Sequence, residues 1–457
     1  MFDATTYSER RSALMRRIGS GLVLLLGHRE SPMNFRDNAY DFRQDGSFAY
    51  FCGLDQPDLA LVLDADTDEQ TLFADDADVD HEVWTGPLPR AAERAAASGI
   101  ANAAPVAQLQ ARLAPAQAQG RTIHVLPAYR AETQLALHAL LGAVAPSAAL
   151  IHAVVALRAV KSPQEIAEIE DALEVTREMH LLAMRLAKPG VVEQEVVGAM
   201  EGLALARGRR MAYAPIFSSR GEILHNFRHD VRLKGGELIV NDSGANSPLG
   251  YASDVTRTIP VGGRFQGLQA QMYDLVLVAQ AQAIAAARPG VPYRDVHATA
   301  CRVMAQGMID LGFMRGDARE AVDAGAHAIF FPHGTGHMLG LDVHDMEGLG
   351  EDHVGYGEGF ARSARFGDKS LRLARPLQPG WVVTIEPGIY INPLLTARWK
   401  AEGRHAAFID YAMFERHANF GGIRIEDDVL ITNDGSRVLG TEIPKVRADV
   451  EAAALAQ

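Results

Sequence analysis

The sequences Lys188-Pro-Gly-Val191 and Arg288-Pro-Gly-Val291 stand one hundred residues apart, and an acidic residue with a valine follows each, Glu195-Val196 and Asp295-Val296. Each copy follows a long stretch of helical periodicity and precedes another, with Pro-Gly as the break. Two unrelated turns would give the same pattern, since such turns are common. The alternative is a duplicated αα-β unit, which predicts a domain with pseudo-twofold symmetry and a site between its halves.

A change in character near residue 160 predicts a domain boundary. Ser162, Pro163 and Glu165 have the spacing of a capping box with proline at the first helical position. The preceding third alternates strand-like runs (22–27, 59–64 and 122–126) with helical stretches such as 101–120, an α/β pattern. We therefore expect an N-terminal α/β domain over 1–160 and a mixed α/β (α+β) catalytic domain over 161–457.

The composition excludes several classes of protein. With 48% hydrophobic and 22% charged residues, the chain of 457 residues is globular rather than disordered, and its net charge of −13 argues against a nucleic-acid partner. The cysteines, Cys52 and Cys301, stand too far apart to suggest a disulfide framework. The polar start and the short apolar run 22–26 predict a cytoplasmic protein without membrane contact.

Acidic residues interrupt strand-like apolar runs in the C-terminal half. Asp242 ends the run Glu-Leu-Ile-Val-Asn-Asp, and Glu386 ends the run Trp-Val-Val-Thr-Ile-Glu. In the strand-like run 423–428, Glu426 shares a face with Arg424, and Asp254 lies within a β-branched run. An ionised carboxylate among apolar side chains is unfavourable unless it is paired or bound to a cation.

Two interpretations of these four carboxylates remain open at this point. Arg257 and Arg424 would neutralise two of them in a buried salt-bridge network. Divalent metal ions would neutralise them more simply, and oxygen-rich ligation with one imidazole suits Mn²⁺, Co²⁺ or Zn²⁺. The histidines His333, His337 and His344 occur within a glycine-rich stretch. The glycines let the backbone turn tightly, so we expect these histidines to converge from a loop and its adjoining strand.

These motifs resemble those of the proline-specific metallopeptidases with the pita-bread fold, a family that includes prolidase and aminopeptidase P. The matching stretches follow the family's order: Asp242-Ser-Gly-Ala, Ser253-Asp-Val-Thr-Arg-Thr258, His333-Gly-Thr-Gly-His337, Leu341-Asp-Val-His344, Thr384-Ile-Glu-Pro-Gly-Ile-Tyr390 and Gly422-Ile-Arg-Ile-Glu-Asp-Asp428. The N-terminal stretch Phe42-Arg-Gln-Asp-Gly-Ser-Phe-Ala-Tyr-Phe-Cys-Gly53 resembles the family's N-terminal domain. The resemblance covers nearly the whole chain, and it implies a homodimer.

The resemblance also implies a ligand set. Asp254 and Glu426 would bridge two divalent ions, with Mn²⁺ as the metal the family suggests. Asp242 would complete one ion, and His337 with Glu386 the other. Such a pair of ions, roughly 3.5–4 Å apart, would activate a shared water and polarise the scissile carbonyl.

Further roles follow from the same resemblance. Glu386 would be the general base, and His225 and His333 would contact the substrate. His344 would stabilise the tetrahedral intermediate and the proline end, with Arg424 behind it. The sequence departs from the family in two places: Asp242 and Asp254 are one residue further apart than usual, and the segment 213–225 looks shortened.

Prolidase and aminopeptidase P both cleave the bond before proline, but a dipeptidase needs a cation for the free proline carboxylate. The run Ser370-Leu-Arg-Leu-Ala-Arg375 and the insertion 391–421 resemble prolidase, with Arg372 at the clamp position. We therefore expect an Xaa-Pro dipeptidase, with aminopeptidase P as the alternative and Arg372 as a plain surface arginine as the competing view. A non-catalytic peptide-binding module and a metal-free creatinase-like enzyme are disfavoured, because all five ligands are present.

Overall fold

The computed structural model describes residues 1–456 as two compact units. The first comprises Met1–Arg158 together with the short segment Met346–Val354. The second comprises Ala159–Asp345 and the chain from Gly355 onward. Both units mix helices and strands, as the alternating pattern predicts. The return of Met346–Val354 to the first unit has no counterpart in the sequence pattern.

The first unit is built on a five-stranded mixed sheet with the strand order β4-β3-β2-β1-β5. Its central strands are apolar on both faces, and Leu24 pairs with Val62 in an antiparallel register. The elements are α1 (Ala4–Ile18), β1 (Leu22–Leu26), α2 (Gly46–Cys52), β2 (Ala60–Asp64), β3 (Glu69–Phe73), α3 (Val79–Thr85), α4 (Ala91–Ala97), β4 (Asn102–Ala104), α5 (Leu109–Ala118), β5 (Ile123–His124), α6 (Ala131–Leu141) and α7 (Ala148–Arg158). The stretch 101–120, predicted as one helix, therefore contains both an edge strand and α5.

The second unit has a three-stranded sheet β6-β7-β8, a three-stranded sheet β13-β12-β9 and a two-stranded antiparallel sheet β10-β11. Its elements are α8 (Pro163–Leu186), α9 (Glu193–Ala206), β6 (Ile216–Ser218), β7 (Leu238–Asp242), β8 (Thr256–Pro260), α10 (Leu268–Ala286), α11 (Tyr293–Asp310), α12 (Ala318–Ala324), β9 (Val382–Ile385), β10 (Gly388–Ile391), α13 (Pro393–Ala401), α14 (Tyr411–Arg416), β11 (Gly421–Arg424), β12 (Asp427–Ile431), β13 (Ser436–Val438) and α15 (Arg447–Leu455).

The first helix of this unit, α8, begins where the sequence predicts a capping box. The backbone N–H of Glu165 donates to Ser162 Oγ at 3.3 Å, and the backbone N–H of Ser162 donates to Glu165 Oε2 at 3.0 Å. Two N–H groups at the start of α8 are thus satisfied reciprocally. The predicted capping box at the start of this helix is confirmed.

The two Pro-Gly breaks make equivalent hydrogen bonds. The N–H of Gly190 donates to Leu233 O at 2.9 Å, and the N–H of Gly290 donates to Leu377 O at 2.8 Å. Both glycines adopt positive φ, 92° and 81°, where an L side chain would be strained. The predicted duplication is confirmed, because unrelated turns would not bind equivalent downstream segments.

The correspondence continues into the strands. The N–H of Gly236 donates to Val261 O at 3.0 Å before β7, and that of Gly380 donates to Ile431 O at 2.8 Å before β9. Within the second unit, the antiparallel pair β7–β8 of the first repeat thus corresponds to the antiparallel pair β9–β12 of the second repeat. As a result, Asp242 and Glu386 occupy equivalent positions in the two halves, six residues after each glycine.

Cys52 and Cys301 are both free thiols with no exposed surface, so no disulfide joins them. Among the helices of residues 1–456, none is both long enough and apolar enough to cross a bilayer.

Candidate metal centre

A cavity of about 440 Å³ in the second unit collects side chains from several strands and loops. Apolar side chains such as Ile216, Leu224 and Val343 form part of its wall. Every residue that the sequence assigned to metal binding, catalysis or substrate binding also lines this cavity, namely His225, Asp242, Asp254, His333, His337, His344, Arg372, Glu386, Arg424 and Glu426. The structure therefore brings together all the predicted side chains, across about two hundred residues of sequence.

The carboxylates enter from strand ends rather than from strand interiors. Asp242 is the last residue of β7, and Glu386 directly follows β9. The run 423–428, predicted as one strand, is divided: β11 ends at Arg424, β12 begins at Asp427, and Glu426 lies at the junction. Asp254 also lies outside a strand, two residues before β8. The four carboxylates therefore lie at strand ends or within two residues of them.

The loop that carries the histidines has no regular strand, contrary to the sequence expectation; only an isolated bridge joins Met338 to Val383. The glycines of this loop allow its backbone to lie close to neighbouring segments, rather than allowing the backbone to turn. A Cβ on Gly336 would lie 2.1 Å from Thr384 O, and one on Gly340 would lie 2.5 Å from Asp345 Oδ2. Glycine lets the loop lie directly against β9, which fixes the position of His337.

Three of the predicted ligands form a tight group. Donor atoms of Asp254, His337 and Glu426 all lie within 4.8 Å of one another. His337 Nδ1 donates to Met338 O at 3.0 Å, so the lone pair of the ring is on Nε2. That Nε2 lies 3.4 Å from Asp254 Oδ2 and 3.6 Å from Glu386 Oε1. A lone pair that faces two carboxylates requires a cation, or a proton, between them.

The protein alone disfavours the charged forms of these acids. Burial, with the charge of Asp242, raises the pKa of Asp254 to about 7. Burial also raises the pKa of Glu386 to about 7, although His337 opposes the shift. The pKa of Glu426 lies well above its ordinary value, because the side chain is buried next to Asp254 and Glu386. The cluster therefore lacks positive charge.

Arginines do not supply that charge to most of the cluster. Arg424 Nη2 donates to Asp242 Oδ2 at 2.6 Å, so this carboxylate is paired as the salt-bridge interpretation expected. Arg257, however, pairs with Asp427 at 2.7 Å, and Asp427 is not one of the four acids. Within residues 1–456, Asp254, Glu386 and Glu426 have no arginine or lysine partner within 4 Å. The oxygen-rich donor set with one imidazole thus fits divalent cations such as Mn²⁺, Co²⁺ or Zn²⁺.

Tyr213 is a functional neighbour that the sequence analysis did not assign. Its hydroxyl lies 2.6 Å from Asp242 Oδ1 and 2.6 Å from Asp254 Oδ1. Burial and the adjacent carboxylates raise its pKa well above the ordinary value, so the phenol keeps its proton. Tyr213 therefore ties the two aspartates together while leaving Asp254 Oδ2 directed at His337. The sequence holds no signal for this contact beyond the shortened segment in which Tyr213 lies.

A chain of hydrogen bonds joins Arg424 to His333 through Tyr390. Arg424 Nη1 donates to Tyr390 Oη at 2.8 Å, and this hydroxyl lies 2.9 Å from His333 Nε2. His333 Nδ1 donates to Gly334 O at 2.8 Å, so Nε2 accepts from the tyrosine. Burial and Arg424 lower the pKa of His333 to about 3, which keeps the ring neutral. Both ring nitrogens thus serve the protein, so the geometry favours a positioning role for His333 over the expected substrate contact.

Removing the Tyr390 hydroxyl tests this chain. Tyr390→Phe is expected to lower kcat/KM by roughly 10- to 100-fold, the range typical of groups that orient metal ligands, with the metal content unchanged. Tyr273→Phe is the matched control, because Tyr273 is equally buried and donates to Lys445 O at 2.8 Å instead. Steady-state kinetics on both variants measure the two losses of kcat/KM. Equal losses would show a general packing effect and contradict a role for the hydrogen bonds from Arg424 through Tyr390 to His333.

The remaining predicted residues that line the cavity are His225, His344, Arg372 and Arg424. The ring of His344 is 4.0 Å from that of His337, and the exposed ring of His225 stacks with Phe227 at 6.2 Å. The surrounding protein desolvates the ring of His225 in part, which together with the charge of Arg424 lowers the pKa of His225; His344 and Arg372 contribute less. Arg372 is half-buried rather than a plain surface arginine. Arg424 donates to Asp242, Tyr390 and Thr256, so it acts by holding other groups.

Comparisons with known proteins agree with this geometry. The model of metallopeptidase family M24 matches residues 167–433, and that of the aminopeptidase P N-terminal domain matches residues 7–125. A protein of Uncinocarpus reesii named probable Xaa-Pro aminopeptidase PEPP is 31% identical over 458 residues, covering 95% of this chain and 90% of that protein. A Penicillium rubens protein with the same description is 32% identical, covering 96% and 94%.

Solved structures give the same result. Aminopeptidase PepP of Pseudomonas aeruginosa superposes with a TM-score of 0.81 at 29% identity, covering 99% of this chain and 98% of that one. Aminopeptidase P of E. coli with the inhibitor Pro-Leu gives the same values. The expected fold is confirmed, and these names agree with the aminopeptidase alternative rather than with the dipeptidase expected first. The chain belongs to metallopeptidase family M24 and carries an N-terminal domain of the aminopeptidase P type.

Proposed function

We propose that this protein is an Xaa-Pro aminopeptidase that releases the N-terminal residue from peptides with proline in second position. The observation that carries the proposal is the convergence of four carboxylates and His337 on one cavity that also holds His225, His344 and Arg372. The relatives named Xaa-Pro aminopeptidase support it. So does the E. coli structure, whose inhibitor Pro-Leu continues beyond proline.

Asp242, Asp254, His337, Glu386 and Glu426 would hold two divalent ions. The chemistry that such ions supply is the activation of water near neutral pH and the polarisation of the scissile carbonyl. Glu386 would accept and return the proton of that water, because its carboxylate lines the cavity beside the other ligands. Its backbone N–H donates to Thr335 O at 2.7 Å, which fixes the carboxylate against the histidine loop.

Two histidines that line the cavity, His225 and His344, bind the substrate. His225, whose pKa is lowered, is neutral at pH 7 and offers one ring N–H to a peptide carbonyl. His344 offers a second polar group next to His337. Arg424 keeps Asp242 oriented, so it is a positioning residue for the metal site. This division of roles differs from the sequence expectation for His333, which was expected to contact the substrate; Arg424 was expected to lie behind His344.

A test of the function compares an Xaa-Pro dipeptide with an Xaa-Pro-Yaa tripeptide, before and after removal of metal by a chelator. We expect turnover of the tripeptide, its loss on chelation, and recovery when Mn²⁺, Co²⁺ or Zn²⁺ is restored. Full activity of exhaustively metal-free protein would overturn the metal dependence. Turnover of the dipeptide alone would instead establish the dipeptidase.

The Xaa-Pro dipeptidase remains the second candidate because Arg372 lines the cavity. If Arg372 clamps a free proline carboxylate, Arg372→Ala raises KM for dipeptides by about 10-fold or more, since a charge-assisted pair contributes roughly 1.5–3 kcal/mol. KM for tripeptides would change much less. Arg398→Ala, at an exposed helical position, is the control. An unchanged dipeptide KM would remove the support for this candidate.

Mn²⁺ as the metal, the homodimer and the cytoplasmic location stay predictions from the sequence. The same holds for the domain limits 1–160 and 161–457. We propose that the part from residue 161 onward carries the catalysis, because the lining of the cavity comes entirely from it.

A further inference from the structure

A second group of potential metal ligands lies in the second unit, away from the cavity. His297 and Cys301 stand one turn apart on the same face of α11, and His327 lies in the 3₁₀ helix Ala326–Ile329. Their donor atoms all lie within 4.8 Å of one another. The three residues are 6%, 0% and 1% exposed, so they form a closed cluster rather than a surface patch. Nothing in the proposed peptidase chemistry uses them.

One donor–donor distance in this cluster is compatible with tetrahedral coordination. Cys301 Sγ lies 3.5 Å from His297 Nε2. Bond lengths of about 2.0–2.1 Å to nitrogen and about 2.3 Å to sulfur, at a tetrahedral angle, place two donor atoms roughly 3.5 Å apart. His297 Nδ1 lies 2.8 Å from Thr335 Oγ1. A ligating histidine ordinarily donates its other ring N–H to such a neighbour, which leaves the Nε2 lone pair for the ion.

His327 supplies an independent indication. Over residues 1–456, neither of its ring nitrogens has a hydrogen bond of normal geometry, although the ring is almost fully buried. The backbone of Val322 raises the pKa of His327 only slightly, as the smallest of the influences on this ring. Asp368 Oδ1 lies 3.7 Å from His327 Nε2, beyond hydrogen-bonding range. A buried imidazole without partners is unusual, because such groups are costly to desolvate. Ligation would satisfy it.

The electrostatics of the cluster suit a cation. Burial lowers the pKa of His297 to about 4 and that of His327 to about 3, so both rings are neutral electron-pair donors. Burial raises the pKa of the Cys301 thiol, which keeps its proton until a metal displaces it. Arg365 is the nearby positive charge, but its Nε donates to Asp368 Oδ2 at 2.7 Å and is paired there.

We propose that His297, Cys301 and His327 bind a further metal ion of the borderline-soft class, such as Zn²⁺, with the Asp368 carboxylate beside them. On binding, a sulfur–metal bond forms, the S–H bond breaks and the proton passes to solvent. The sulfur and nitrogen donors select a different ion from the oxygen-rich cavity, because thiolate and imidazole favour Zn²⁺ over Mn²⁺. The cluster is thus a structural site, distinct from the catalytic one.

The position of the cluster indicates what it stabilises. His297 holds the side chain of Thr335, and Thr335 O accepts the backbone N–H of Glu386 at 2.7 Å. Thr335 is fully buried and lies two residues before His337. An ion at the cluster would therefore fix the loop 332–337, which carries His333 and His337, through the contact between His297 and Thr335.

Cobalt provides a readout that does not depend on peptidase activity. The full chain, stripped of metal, is titrated with Co²⁺, and the near-ultraviolet band of thiolate-to-cobalt charge transfer is recorded. The cavity ligands contain no sulfur, so they cannot give this band. We expect the band to reach the amplitude of one thiolate–Co²⁺ centre per chain in the wild type and in Cys52→Ala, the matched control, while the cavity takes up Co²⁺ without adding to the band. Cys301→Ala is expected to lose the band and to bind one Co²⁺ fewer, and His327→Phe to bind this ion at least about 10-fold more weakly.

The wild-type spectrum decides the proposal even if a variant fails to fold. Cobalt bound without a thiolate band in the wild type would overturn it, as would a band that persists in folded Cys301→Ala. Circular dichroism establishes which variants are folded. Because the band reports sulfur alone, these results are independent of whether the cavity hydrolyses peptides.

Discussion

Glu426→Gln is expected to abolish peptidase activity while making the metal-free protein more stable. Glu426 is 1% exposed, and its pKa lies well above the ordinary value because of burial beside Asp254 and Glu386. Glutamine has nearly the same shape, and its carbonyl can still accept the hydrogen bond from Thr256 Oγ1, which is 2.6 Å long in the wild type. The substitution thus removes the free-energy cost of burying an ionisable acid in the metal-free fold, but it also removes a metal ligand.

Three measurements on Glu426→Gln distinguish this account from a loss of fold. Metal content should fall, kcat/KM should fall by more than the roughly 10- to 100-fold typical of groups that only orient a ligand, and the Tm of the chelated protein should rise. Added metal should raise the Tm of the wild type and not that of the variant. The exposed Glu402→Gln serves as the control. A variant that keeps its metal, or loses stability without metal, would contradict the assignment of Glu426.

The raised pKa values in the cluster also determine how the stability of the metal-free protein depends on pH. The folded pKa of Asp254 and of Glu386, about 7, exceeds the ordinary values of 3.8 and 4.5. Groups with raised pKa stabilise the fold fully at low pH and lose that contribution as pH rises through the folded value. Metal-free protein should therefore lose stability between pH 4 and 7, whereas stabilisation by added metal should grow over that window.

Arg257→Met is expected to destabilise the protein by about 3–5 kcal/mol, the cost of removing one partner of a buried ion pair. Arg257 is 1% exposed, and its Nη2 donates to Asp427 Oδ1 at 2.7 Å. Its Nη1 donates to the backbone oxygens of Thr256 and Glu426 at 2.9 and 2.6 Å. Methionine fills similar space but leaves these acceptors buried without a donor. The arginine thus joins the two halves directly behind the carboxylates.

Urea unfolding of Arg257→Met beside Arg398→Met, an exposed arginine, measures this cost. Asp427 keeps contacts with Lys445 and Gln280 Nε2, so the loss should not exceed the expected range greatly. Activity should also fall, because Glu426 loses the support of its backbone oxygen. A change below about 1 kcal/mol would mean that water replaces the guanidinium at little cost.

The sequence alone determined a large part of this protein. The Pro-Gly repeat, the capping box at Ser162 and the run of motifs from Asp242 to Asp428 predicted the duplicated domain and the residues that line the cavity. These signals are local, since helix caps and motif spacing depend on neighbours in the chain. The expected dipeptidase rested on the region around Arg372, and the relatives agree with the aminopeptidase instead.

The tertiary structure decided which charges meet. Only the folded chain shows that Arg424 pairs with Asp242 whereas Arg257 pairs with Asp427, which leaves Asp254, Glu386 and Glu426 in need of cations. Only the fold shows that Tyr213 bridges two aspartates and that the buried ring of His327 makes no hydrogen bond of normal geometry among residues 1–456. The physical reason is that coulombic and desolvation energies depend on distance and burial between residues far apart in sequence, and periodicity carries no information about either.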